Sequence, residues 1–166
     1  MRYNESKRKV LSSFEDTRDA VTQLAASAER SLSIYTPDLE PGIYDNEEFL
    51  EVIKRFVLAK RYARVRILIS NPSRANRNSH PLVALGRRLN ASIGIRNVDV
   101  EYREKHQEAY LIADDNALLF RASSGKWEGI VGANEPKIAQ RQLKTFDQIW
   151  DASEFKHEHY QPHASM

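Results

Sequence analysis

The chain has 166 residues, 41% of them apolar and 29% charged, with a formal net charge of +2 and no cysteine. That length supports one full hydrophobic core, and the apolar share excludes large-scale disorder. Without cysteine there can be no disulfide, thiolate metal site or cysteine nucleophile, which fits a reducing compartment.

The opening stretch, MRYNESKRKVLSSFED, carries bases with no apolar run behind them, so no secretory signal is expected. No stretch approaches the roughly 18 apolar residues that span a bilayer, and a cytoplasmic protein is the expectation. A helix is expected from Phe14 to Glu29, opening at Ser12-Ser13 with Glu15 and Asp16 in its first turn. Its stripe is Val21, Leu24, Ala25 and Ala28. Ser31–Thr36 reads as a strand halted by Pro37-Asp38. Asn46 can cap a helix from Glu47 to about Tyr62, with Phe49, Leu50, Ile53, Val57 and Leu58 inward. Val65–Ser70 is the clearest strand, followed by a polar loop and a helix starting at Pro81.

Ile93, Ile95, Val98 and Val100 suggest a further strand, bulged near Asn97. Ala109–Ala113 and Ala117–Phe120 form a hairpin across Asp114-Asp115-Asn116. Glu128–Ala133 suits one more strand, and Lys137–Asp151 a closing helix with Ile138, Leu143, Phe146 and Trp150 inward. Helices alternating with early strands imply parallel crossovers, while the late hairpin adds antiparallel strands. The expected fold is α/β, a mixed but mostly parallel sheet flanked by helices on both faces. Residues 1–13 read as a lead, 14–152 as one domain and 153–166 as a flexible tail.

The small net charge hides an asymmetry. Residues 1–53 hold 6 Lys/Arg against 11 Asp/Glu, residues 54–103 hold 12 against 2, and residues 104–166 hold 7 against 10. Ten of the twelve middle cations are arginines, whose planar fork suits phosphate. This stretch is either a solvated basic face or a contact for an anionic partner, such as nucleic acid, a phosphate-bearing ligand or an acidic protein.

The loop Asn71–Pro81 follows a strand whose C-terminal end should face the ligand crevice of an open α/β sheet. It offers Arg74, Arg77 and His80 ahead of a helix N-terminus, a natural place for an anion. Tyr35, Tyr44, Tyr62, Tyr102 and Tyr110 lie near bases in the sequence and could stack nucleobases, although half-burial is the commoner fate of tyrosine. His157, His159 and His163 form a loose cluster best read as part of the tail. No other metal-ligand spacing, phosphate-cradling glycine loop or Gly-x-Ser-x-Gly elbow is present, so neither a metal nor a cofactor is expected.

Element order and four phrases together resemble a half-domain of the phospholipase D superfamily. The phrases are Ala28-Glu-Arg-Ser-Leu-Ser-Ile-Tyr35, Val65–Ser70, Tyr110-Leu-Ile-Ala-Asp-Asp-Asn116 and Phe146-Asp-Gln-Ile-Trp150. The chain is most similar to uncharacterised bacterial modules of that fold that sometimes follow a GNAT-type acetyltransferase. The resemblance implies chemistry by a His-x-Lys pair, an Asp five residues beyond the Lys, and a Gly-Ser turn with an Asn. Here His106 stands at the nucleophile position, Glu108 replaces the lysine, and Ala113 replaces the aspartate, with Asp114 one residue late. The Gly-Ser turn becomes Arg121-Ala-Ser-Ser-Gly125.

Losing positive charge beside a developing oxyanion removes the main source of stabilisation for phosphoryl displacement. The expectation is therefore a degenerate, non-catalytic module, with His106 vestigial. Arg121, Ser123 and Ser124 join His106 as a remnant anion pocket beside Arg74, Arg77 and His80, unless Arg121 pairs with Glu108 or Asp38. A homodimer is implied by the fold's usual pairing of two halves. The alternatives are a regulatory module meeting an acidic protein, and a phosphodiesterase or nuclease of altered mechanism centred on His106.

Overall fold

A computed structural model describes residues 7–75 and 79–153. Of the tail expected over 153–166, Ser153 is buried, while residues 154–166 with their three histidines, and Arg77, lie outside the described residues.

Seven strands form one sheet: β1 (Lys9–Leu11), β2 (Ser31–Thr36), β3 (Arg64–Ile69), β4 (Ile93–Asn97), β5 (Ala109–Ala113), β6 (Ala117–Arg121) and β7 (Gly129–Gly132). Their order is β1-β7-β6-β5-β2-β3-β4. Among them run helices α1 (Phe14–Ala26), α2 (Glu47–Ala59), α3 (Pro81–Arg88), α4 (Val100–Arg103) and α5 (Pro136–Ala152).

The sheet is mixed but mostly antiparallel, which corrects the mostly parallel expectation. Only β2–β3 and β3–β4 are parallel, each pair joined by a helix long enough for a crossover. After β4 the chain has only the four-residue α4, and β5 enters beside β2 in the antiparallel sense. Short hairpin connections then keep β6 and β7 antiparallel, and β1 closes on β7 the same way. Helices cover both faces as expected. One core packs the apolar sides of α1, α2 and α3 around Leu32, Ile34, Ile67 and Leu119. The other packs α5 through Ala139, Phe146 and Ile149 onto Tyr35, Leu68, Tyr110 and Leu118.

Two elements differ from the sequence-based expectation. The strand through Val100 stops at Asn97: Val98 is buried, but Val100 is 69% exposed and opens α4. Within the stretch assigned as a lead, Lys9–Leu11 pairs with β7. On α2, Leu58 is 65% exposed, and Phe56 takes the inward position.

Candidate functional site

Strand direction brings four segments to one edge, the C-terminal end of β2 and β3. Antiparallel pairing sets Tyr110 opposite Tyr35, and Ala109 opposite Arg121. The loops after β2 and β3, the approach to β5 and the exit from β6 therefore meet there. His106, Arg121, Ser123, Ser124, Arg74 and His80 all belong to these segments, as the sequence leads one to expect. Proximity to the edge does not make them available, however.

Arg121 is 2% exposed and spends its whole guanidinium internally. Nη1 and Nη2 donate to the two carboxylate oxygens of Glu40 at 3.2 and 2.9 Å, the bidentate geometry that favours arginine over lysine. Nε donates to the Lys126 carbonyl, and Nη2 also to the Ser124 carbonyl, both at 2.8 Å. The indole of Trp127 lies beneath the guanidinium, 4.5 Å from ring centroid to Cζ, and its edge meets Phe14. Burial pushes the Glu40 carboxyl above its ordinary range, while Arg121 pulls it back. Burial likewise raises Tyr44 beside this pair. The partner of Arg121 is thus Glu40, not Glu108 or Asp38, and Arg121 is no open anion ligand.

Glu108 instead receives His106, whose Nδ1 lies 2.9 Å from Oε2. The backbone carbonyl of His106 accepts the Tyr35 hydroxyl at 2.8 Å, so the segment before β5 is fixed at two points. Burial raises Tyr35. His106 and Glu108 stand two residues apart, and their contact takes the glutamate that the sequence offered to Arg121.

His80 is the N-cap of α3 and 8% exposed. Its Nδ1 accepts the Leu82 N–H at 3.1 Å, which leaves the proton on Nε2 to be donated to the Leu39 carbonyl at 3.1 Å. Burial lowers its pKa, in keeping with a neutral ring. His80 is therefore committed to structure, contrary to its expected place in an anion pocket. It clamps Leu39, a buried apolar residue held at φ 61°, with Thr36 Oγ1 accepting the Leu39 N–H at 3.1 Å. A left-handed backbone at a non-glycine costs on the order of 1–3 kcal/mol and persists only where its surroundings enforce it.

The remaining candidates are more open. Arg74 has a side chain 62% exposed, and its Nε donates to Asp38 Oδ2 at 2.8 Å. Ser123 is exposed and its Oγ accepts the Gly125 N–H at 3.3 Å; the Ser124 N–H donates to the Gln107 carbonyl at 2.8 Å. The sequence reading missed Glu40, and it offered Asp38 as a counter-charge for Arg121 where the structure pairs it with Arg74. Both sit just beyond Thr36, and an acid following a strand into the loop that should hold a ligand is the signal that points to them.

The arginine-rich middle does not form one face. Arg66 and Arg96 lie on the α5 side of the sheet, over the ring of Trp150 at 5.5 and 4.2 Å, with Arg66 also paired to Asp147 at 2.8 Å. Arg103 donates to the Val98 carbonyl. Tyr35, Tyr44 and Tyr110 are buried, whereas Tyr62 is 60% exposed.

The fold is that of solved phospholipase D-family proteins. Nuc from Salmonella typhimurium, a phospholipase D family member, aligns with TM-score 0.56 and 19% identity over 87% of this chain and 95% of its own. NucT from Helicobacter pylori aligns with TM-score 0.55 and 12% identity over 87% and 96%. TrmBL2, an archaeal chromatin protein with a novel mode of DNA binding, gives TM-score 0.63 at 12% identity over 93% of this chain. This chain spans 56% of the length of TrmBL2. Comparison with curated proteins finds no match. Residues 13–160 match the family described as Domain of unknown function (DUF7931).

Proposed function

The chain belongs to the DUF7931 family, built here on a phospholipase D-like fold, and from that premise we propose a non-catalytic module that binds an anionic partner, nucleic acid being the class its charge fits. One observation carries the reading. At the edge where the resemblance locates phosphodiester chemistry, the ionisable side chains are tied to one another: Arg121 to Glu40, His106 to Glu108 and Arg74 to Asp38. A glutamate in place of the expected lysine sets an anion where an incoming phosphate needs a cation. The module would then hold a partner without acting on it, and pairing of two modules into a homodimer belongs to the same reading.

Nucleic acid is favoured over an acidic protein by the excess of arginine in residues 54–103 and by the presence of a DNA-binding chromatin protein among the fold's relatives. The test is equilibrium binding of a single-stranded oligonucleotide across a salt series. A linear fall of log affinity with log salt, by about 0.7 per phosphate contact, is expected. No binding at low salt, where local charge is least screened, would refute the reading.

A further inference from the structure

The same strand directions that fill one edge with paired charges leave a second set of cations at the opposite edge. Arg30 precedes β2, Arg64 opens β3, and Arg87 lies in the last turn of α3 ahead of β4. Backbone hydrogen bonds tie these points together. The Arg64 N–H donates to the Arg30 carbonyl at 3.1 Å, and the Val65 N–H to Ser92 at 2.8 Å. Lys60, Arg61 and Tyr62 form the connection from α2 into β3 beside them. The Lys60 Nζ lies 3.4 Å from the Glu29 carbonyl and 5.9 Å from the centre of the Tyr62 ring.

These cations differ from those of the other edge in their partners. Among the described residues, Arg61, Arg64 and Arg87 form no ion pair, and Arg30 has only a loose contact with Asp115 at 3.7 Å, its side chain 60% exposed. Arg64 folds one nitrogen onto the carbonyls of Arg61 and Ala63 at 2.9 Å, which braces the connection without neutralising the charge. The nearby carboxylate of Asp114 is occupied by the backbone N–H groups of Glu29, Arg30 and Ser31, at 2.7 to 3.2 Å. Next to these bases stands Tyr62, 60% exposed.

We infer that this edge, built on Arg30, Lys60, Arg61, Tyr62, Arg64 and Arg87, is the binding surface for single-stranded nucleic acid. Guanidinium groups that are not neutralised by a close carboxylate suit backbone phosphates in charge and fork geometry, and an exposed tyrosine supplies a sequence-tolerant platform for one base. The inference rests on the proposed nucleic-acid reading but moves its contacts away from the edge occupied by His106 and Arg121.

The experiment compares the full chain with Arg61→Glu/Arg87→Glu, with Tyr62→Ala and with Arg74→Ala. Each is titrated against a labelled oligodeoxythymidine, the matching duplex and vesicles of anionic phospholipid. All substituted side chains are exposed, and an unchanged urea midpoint verifies each fold. The double charge reversal should weaken oligonucleotide binding at least tenfold and reduce the salt slope by about 1.4, two contacts at roughly 0.7 each. Tyr62→Ala should weaken the single strand about tenfold, as loss of one stacked base does, and leave the slope and duplex binding unaltered. Arg74→Ala should change little.

Tight binding by the parent with no loss in the charge-reversed variant overturns the placement while leaving the nucleic-acid reading intact. Weakening by Arg74→Ala alone moves the interface to the other edge. Failure of the parent to bind any oligonucleotide overturns both, and binding to vesicles alone overturns both in favour of a lipid surface.

Discussion

The buried Arg121–Glu40 pair makes the clearest demand on a single residue. A charge left alone after its partner is removed from a buried pair typically costs 3–5 kcal/mol, far more than the net worth of the pair itself. Arg121→Met should therefore lower stability by about that amount, because it strands Glu40 and removes the donors to the Lys126 and Ser124 carbonyls. Adding Glu40→Gln should recover part of the loss; a double variant no more stable than the single would contradict the pairing. His80 gives a pH signature. Its folded pKa lies below the ordinary value, so its contribution is present at neutral pH and is lost as pH falls from the unfolded pKa of about 6.5 toward the folded one. His80→Asn keeps a capping oxygen but cannot titrate. Urea midpoints between about pH 7 and 5 should fall more steeply for the parent than for the variant. Glu40, whose raised pKa acts with the opposite sign, is common to both proteins and cancels in the comparison.

Strands and helices show how far the sequence carries and where it stops. Ser13 and Asn46 act as caps as their residue types suggest, and the Asp114-Asp115-Asn116 turn closes β5 onto β6 with Ala113 opposite Ala117. Three residues of β1 and four of α4 are too short to display a period, so neither was legible. Strand direction departs from the parallel expectation because alternation of helix and strand constrains only neighbours joined by a crossover, and just two of the six pairings here are of that kind. Within the site, the sequence marks His106 and Glu108 individually, and their contact appears only in the structure. Arg121 and Glu40 lie 81 residues apart, and only the register of β5 between β2 and β6 brings them together. Gly129 tests the next pairing along, that of β7 with β6. A Cβ there would sit 2.6 Å from the Phe120 carbonyl oxygen, a backbone atom that cannot step aside. Gly129→Ala should cost about 1–3 kcal/mol by chemical denaturation, the usual range for overpacking. Gly125→Ala, whose Cβ would meet only Ser123 Oγ at 3.8 Å, should stay within about 0.5 kcal/mol of the parent.

At the scale of the whole molecule, the sheet separates two chemically different edges. One gathers the residues that the phospholipase D resemblance marks for chemistry and ties them to carboxylates: Arg121 and Glu40 are buried, and His106 faces Glu108. The other carries Arg61, Arg64 and Arg87, which form no ion pair among the described residues, with Arg30 only loosely paired to Asp115, beside an exposed tyrosine. No described helix is long and apolar enough to cross a membrane. A fold shared with solved phospholipase D-family proteins is proposed here to serve binding without turnover. The most direct measurement is hydrolysis of a bis-aryl phosphate by the purified chain, compared with buffer and with His106→Ala. The account predicts that all three traces coincide. Turnover by the parent that His106→Ala abolishes would show that His106 still acts as a nucleophile beside Glu108, and would contradict it.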